Sequence, residues 1–145
     1  MPASTFSLFD EFGSELGKGT HQLNAHTFKI VLTNTAITKA GSTVVADLTK
    51  ITANGGAEKT VTCTWAETGA GTGIWRFSVG ADQTWTASGG SFGPFQYAVL
   101  YNDTPTSPAD PLIGYWNYGS AITVNDTETF TLDVDANFAA FTLTV

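Results

Sequence analysis

Residues 91–119 read SFGPFQYAVLYNDTPTSPADPLIGYWNYG. Two apolar, aromatic-rich runs flank a polar segment carrying Pro105, Pro108 and Pro111. Proline has no N–H to give a sheet ladder, and Asn and Asp favour turns. NDTPTSPAD therefore reads as a long, stiff hairpin loop between two strands. In GYWNYG the alternation sends Tyr115 and Asn117 to one face and Trp116 and Tyr118 to the other, so one set is expected near the surface.

The same grammar extends in both directions. TFKIVLT puts Phe28, Ile30 and Leu32 on one face, and GIWRFSV alternates Trp75, Phe77 and Val79 with Arg76 and Ser78. KTVTCTWAE follows the NGG turn at 54–56, and QTWTAS precedes the pair Gly89–Gly90. ETFTLDVD and FAAFTLTV complete the set, with Phe130, Leu132 and Val134 expected inward, as are Phe141, Leu143 and Val145. The glycine-rich ETGAGTG at 67–73 lacks the Gly-Lys-Ser/Thr ending of a phosphate loop and reads as a hairpin turn. The expectation is an all-β fold, a jelly-roll-like β-sandwich of about eight strands with a short N-terminal helix.

That helix is expected between Thr5 and Lys18. Phe6, Phe9, Phe12 and Leu16 recur at three- and four-residue spacing, SLFD fits a capping box, and GKG at 17–19 is a stop. A second short helix or turn is expected within STVVADLTK at 42–50. One domain spanning 1–145, with 1–20 as an N-terminal arm, accounts for the length.

Composition narrows the partners. Charged residues make up only 13 % of the chain, and the net charge is −7. Six scattered basic residues do not make a nucleic-acid face or a surface for anionic membranes. Few lysines are available to blunt strand edges, so the edges are expected to be short, closed or paired with a partner. MPASTFSLFDEFG has neither a basic n-region nor a continuous apolar run, so synthesis in a cytoplasm is expected.

Reactive groups are sparse. Cys63, the single cysteine, alternates with threonines beside Val61 and Trp65 and reads as a small buried hydrophobe rather than a reactive thiol. His21 and His26, five apart, fall on opposite faces of a strand, and a surface loop is the simpler reading than a metal site. Asp133 and Asp135 share a strand face and read as solvated rather than catalytic; Asp103, Asp110, Asp126 and Asp133 in or near loops lack EF-hand spacing. No catalytic residue, cofactor or metal ligand is assigned, and an enzyme is not expected. Weight falls instead on the aromatics: Trp65, Trp75 and Tyr97 as core, and Phe6, Phe9, Phe12, Tyr115, Trp116 and Tyr118 as candidate interface residues.

Several segments, in order, resemble a family of small virion structural proteins of tailed bacteriophages, of the capsid cement or decoration type. These are LFDEFGSELGKGTHQLNAHTFKIVLTN, TWTASGGSFGPFQYAVLYNDT, DPLIGYWNYG and the terminal FTLDVDAN and FTLTV, and the resemblance runs in register over nearly the whole chain. Phe138-Ala139-Ala140 and the short GGAEKTVTC depart from the family pattern at two hairpins. The resemblance implies a structural protein on the outer capsid surface that binds the major capsid protein and itself, as a homodimer or homotrimer. A tail- or fibre-associated protein is the alternative, binding host-surface glycan by stacking on Trp116 and Tyr118.

Overall fold

The structure, a computed structural model, describes residues 5–134 and 139–145. It is all-β, built from antiparallel sheets with one short helix, as the alternation required. In chain order the elements are β1 (Ser7–Leu8), α1 (Asp10–Gly17), β2 (Phe28–Thr33), a 3-10 turn (Val45–Asp47), β3 (Lys59–Val61), β4 (Cys63–Glu67), β5 (Ile74–Val79), β6 (Gln83–Thr86), β7 (Phe92–Asn102), β8 (Leu112–Val124), β9 (Thr129–Leu132) and β10 (Ala139–Thr144).

One layer is the five-stranded sheet β1-β8-β7-β2-β3; facing it are β10-β5-β4 and the two-stranded β6-β9. The expected strand KTVTCTWAE is divided at Thr62. Its first part pairs with β2 and its second with β5, so one extended run serves both layers. The opening hairpin is present: β7 and β8 pair along their length, and the proline-bearing loop spans 103–111 between them.

The main core lies between the layers, around Ile30, Leu32, Phe77, Trp85, Phe95 and Leu100, none more than 1 % exposed. Trp85 gives its indole N–H to the Ala57 carbonyl at 2.8 Å, which satisfies its one polar atom. A second, smaller core covers the other face of the large sheet. There Val31, Val99, Tyr101 and Leu112 meet Phe9, Val45 and Leu48. The 43–48 segment is held by the Asp47 carboxylate, which accepts the N–H groups of Thr43 at 2.9 Å and Val44 at 3.1 Å. Those bonds hold the Asp47 carboxyl below its ordinary value.

Three sequence expectations change. The N-terminal segment is not helical from Thr5. Ser7 and Leu8 form a strand on β8, and α1 begins at Asp10 with Phe9 as an N-cap lacking a side-chain bond, so the capping box is not used. Strand pairing of the two residues satisfies backbone groups that a first helical turn would leave open. The short helix or turn expected within 42–50 is present as the 3-10 turn. Trp65, Trp75 and Tyr97 are half-buried at the rim, whereas Trp85 is enclosed. Finally, only Phe141 of its trio packs on the core; Leu143 is 46 % and Val145 85 % exposed, and Ile74, paired with Thr144, is exposed too. Asp135 and Phe138 lie outside the described residues.

Candidate functional site

Four of the six candidate interface residues meet in two pairs. β1 lies along β8, pairing Ser7 with Tyr115 and Leu8 with Gly114. Phe6 then packs on Trp116 on one face of β8, with ring centroids 4.7 Å apart. Phe9 packs on Tyr115 on the other face, at 5.1 Å. Phe12 carries the segment onward to the core, 5.0 Å from both His21 and Phe141. Phe6, Phe9, Phe12 and Trp116 are therefore buried within the chain's own packing, and Tyr115 is half-buried. Tyr118 alone of the six is exposed, at 40 %.

A bulge explains Tyr118. Tyr97 pairs with Asn117 but Phe95 pairs with Ile122, so four residues of β8, 118–121, stand opposite the single Gln96 of β7. Gly119 takes a φ of +95°, which a residue with a side chain rarely adopts. The Asn117 Oδ1 fixes the bulge by accepting the Gly119 N–H at 2.8 Å and the Gln96 Nε2–H at 3.0 Å. Asn117 and Tyr118 are both exposed, Asn117 bonded to Gln96 and Tyr118 packed edge-on to Phe130.

Tyr118 stands in a groove of about 860 Å³, a size within the usual range of binding clefts. Its walls are β8 and β9, joined by the turn at 125–128; Ile122 and Phe130 form its floor, with Phe130 edge-on to the Tyr118 ring at 6.4 Å. Asp82, Glu128 and Asp133 line it, and no Lys, Arg or His does. A smaller hollow of about 300 Å³ lies on β4 and β5 around Arg76 and Glu67. Arg76 is the chain's one arginine, and its Nε has no hydrogen-bond partner among the described residues.

The histidines are brought together rather than apart. Residues 20–27 turn instead of forming a strand, with His26 N–H bonded to the Gln22 carbonyl at 3.0 Å. Both Nδ1 atoms face the buried Asn102 Nδ2, His21 at 3.1 Å and His26 at 2.8 Å. Asn102 Oδ1 accepts the Thr104 N–H at 3.2 Å, which sets the amide so that its two N–H groups point at the two rings. His21 is only 4 % exposed, not on a surface loop, and burial lowers its pKa to about 4, opposed by the nearby Glu15. The cluster joins the N-terminal turn to the end of β7. Its signal in the sequence was the polar Asn102 closing an apolar strand.

The chemistry elsewhere is quiet. Burial pushes the Cys63 thiol up to about 12, so it stays protonated at neutral pH. Asp103 is paired with Lys29 at 2.9 Å, and Asp126 accepts the Gly90 N–H at 3.3 Å. Among the described residues no three His, Cys, Asp or Glu side chains gather as a metal site would need. No protein-family model matches the chain, and no curated protein or solved structure is found similar to it.

Proposed function

We propose that the protein is a bacteriophage capsid cement protein, bound to the outer surface of the head as a homodimer or homotrimer. It bridges neighbouring copies of the major capsid protein and resists the pressure of packaged DNA. The observation that carries this reading is the in-order resemblance of the segments at 8–34, 84–104 and 110–119 to small phage virion proteins. The all-β architecture supports it, because that resemblance implied a compact sandwich of this kind. Exposed strand ends support it as well. Leu143 on β10, an edge strand without a charged residue, and Val145 just after it offer a surface for self-association.

Cement proteins act by mass action, since the assembled shell presents a site that separate subunits do not. An oligomer that touches several capsid subunits gains effective concentration for each contact after the first. The test is to mix the purified protein with expanded heads that lack it, sediment them and image the pellet. Regular decoration at fixed capsomer positions, with heads that resist heating better, is the expected outcome. Heads that sediment bare would refute the reading.

A further inference from the structure

We infer that the groove between β8 and β9 is a docking site for an extended, Lys- or Arg-bearing segment of a partner protein, which adds a strand against these two edges. β8 and β9 are consecutive, separated only by the turn at 125–128, yet among the described residues no ladder joins them. β8 pairs with β7 and β9 with β6, while no residue of β6 or β7 lines the groove. Among the described residues the groove therefore lies on the sides of β8 and β9 that have no neighbouring strand. β1 pairs with that side of β8 at Gly114 and Tyr115, and Phe6 lies beside Trp116. Beyond Trp116 no described strand pairs with it.

Open strand sides supply backbone donors and acceptors at the strand repeat, the basis of recognition by strand addition. Side-chain selectivity comes from the walls. Asp82, Glu128 and Asp133 place negative charge around the groove with no basic residue beside them. Asp82 and Glu128 are held in place by local bonds, to the Val134 N–H at 2.7 Å and the Asn125 N–H at 3.1 Å. Tyr118, fixed by the Asn117-pinned bulge, offers an aromatic face to a cation. A second copy of this chain is a poor occupant, because it brings thirteen acidic residues against six basic ones. The groove selects such a segment whether or not the protein sits on a capsid, and the head-binding test is separate from the one below.

The experiment uses the full chain and three fluorescein-labelled probes of about seven residues, an ordinary strand length. The first is Thr-Val-Lys-Val-Lys-Val-Thr, the second has Glu for Lys, and the third is the Lys peptide N-methylated at alternate residues. Anisotropy titrations should show the Lys peptide binding at least roughly tenfold tighter than either of the others. Amide shifts should change at Tyr118, Thr123, Thr129 and Thr131. Tyr118→Ala and Asp133→Asn, both at exposed positions, should each weaken the Lys peptide several-fold without loss of fold. Equal binding of the Lys and Glu peptides, undiminished binding after N-methylation, or no binding of the Lys peptide would each overturn the assignment. So would a neutral oligosaccharide that shifts the same amides while the Lys peptide does not.

Discussion

At the scale of single residues, Asn102 is a polar group constrained from both sides. It has no exposed surface, and its amide gives one N–H to each of two imidazoles. Both rings must then offer a bare Nδ1 and carry their proton on Nε2. Protonation of either ring sets N–H against N–H and breaks the clamp. His21 has its folded pKa lowered from 6.5 to about 4, so the unfolded chain binds more protons between those values. Stability from this group is complete above about pH 6.5 and falls as the pH drops toward 4, by at most about 3 kcal/mol. Urea titrations across that window should show the midpoint falling with acid, and nitrogen spectra should report both Nδ1 atoms unprotonated at neutral pH. Asn102→Asp should invert the slope, because a carboxylate there favours charged histidines. Gly114 makes a second single-atom prediction. A Cβ at this position lies 2.6 Å from the Ser7 carbonyl oxygen and 2.7 Å from Phe6 Cε1, so backbone blocks it. Gly114→Ala should destabilise by about 1–3 kcal/mol in chemical denaturation.

At the scale of elements, the N-terminal segment is held by its aromatics, by the short β1 ladder and by backbone bonds from Phe9 to Ile113 and from Asp10 to Lys39. β1 is two residues long, and α1 has no side-chain N-cap. Phe12 joins α1 to the His21 turn and to β10, so Phe12→Ala should cost about 3–5 kcal/mol and raise proteolysis ahead of β2. β10 invites the opposite experiment. Leu143 is 46 % exposed on an uncharged edge, so Leu143→Lys should change stability by less than about 0.5 kcal/mol. The same change should shift the oligomer expected in sedimentation velocity to monomer; a mutant as associated as the parent places the contact elsewhere. How far these elements were legible depends on where packing follows sequence period. β2, β5 and the β7–β8 hairpin were readable, because Phe28, Ile30 and Leu32, or Phe77 and Val79, mark one continuous core face. β1 was not, because Phe6, Phe9 and Phe12 keep helical spacing while Ser7 and Leu8 pair with β8. Nor was the site around Tyr118. A bulge depends on the register of two strands, and Asp82, Glu128 and Tyr118 are brought together only by the fold.

At the scale of the whole molecule, charge separates the surfaces. Each copy carries a net charge of −7, which opposes the approach of a second copy at any face. Self-association through the uncharged β10 edge relies on backbone pairing and on Leu143 and Val145, so screening the net repulsion should strengthen it. The β8–β9 groove attracts a basic segment through Asp82, Glu128 and Asp133, so screening should weaken that contact. The Debye length falls from about 10 Å at 0.1 M salt to about 3 Å at 1 M, a range that spans both effects. Sedimentation velocity and peptide anisotropy over this range should therefore move in opposite directions, with larger oligomers and weaker peptide binding at high salt. Binding to heads then reports which surface meets the capsid. A decoration that salt strips from the heads points to the groove, and one that survives 1 M salt points to apolar and backbone contacts such as those of β10.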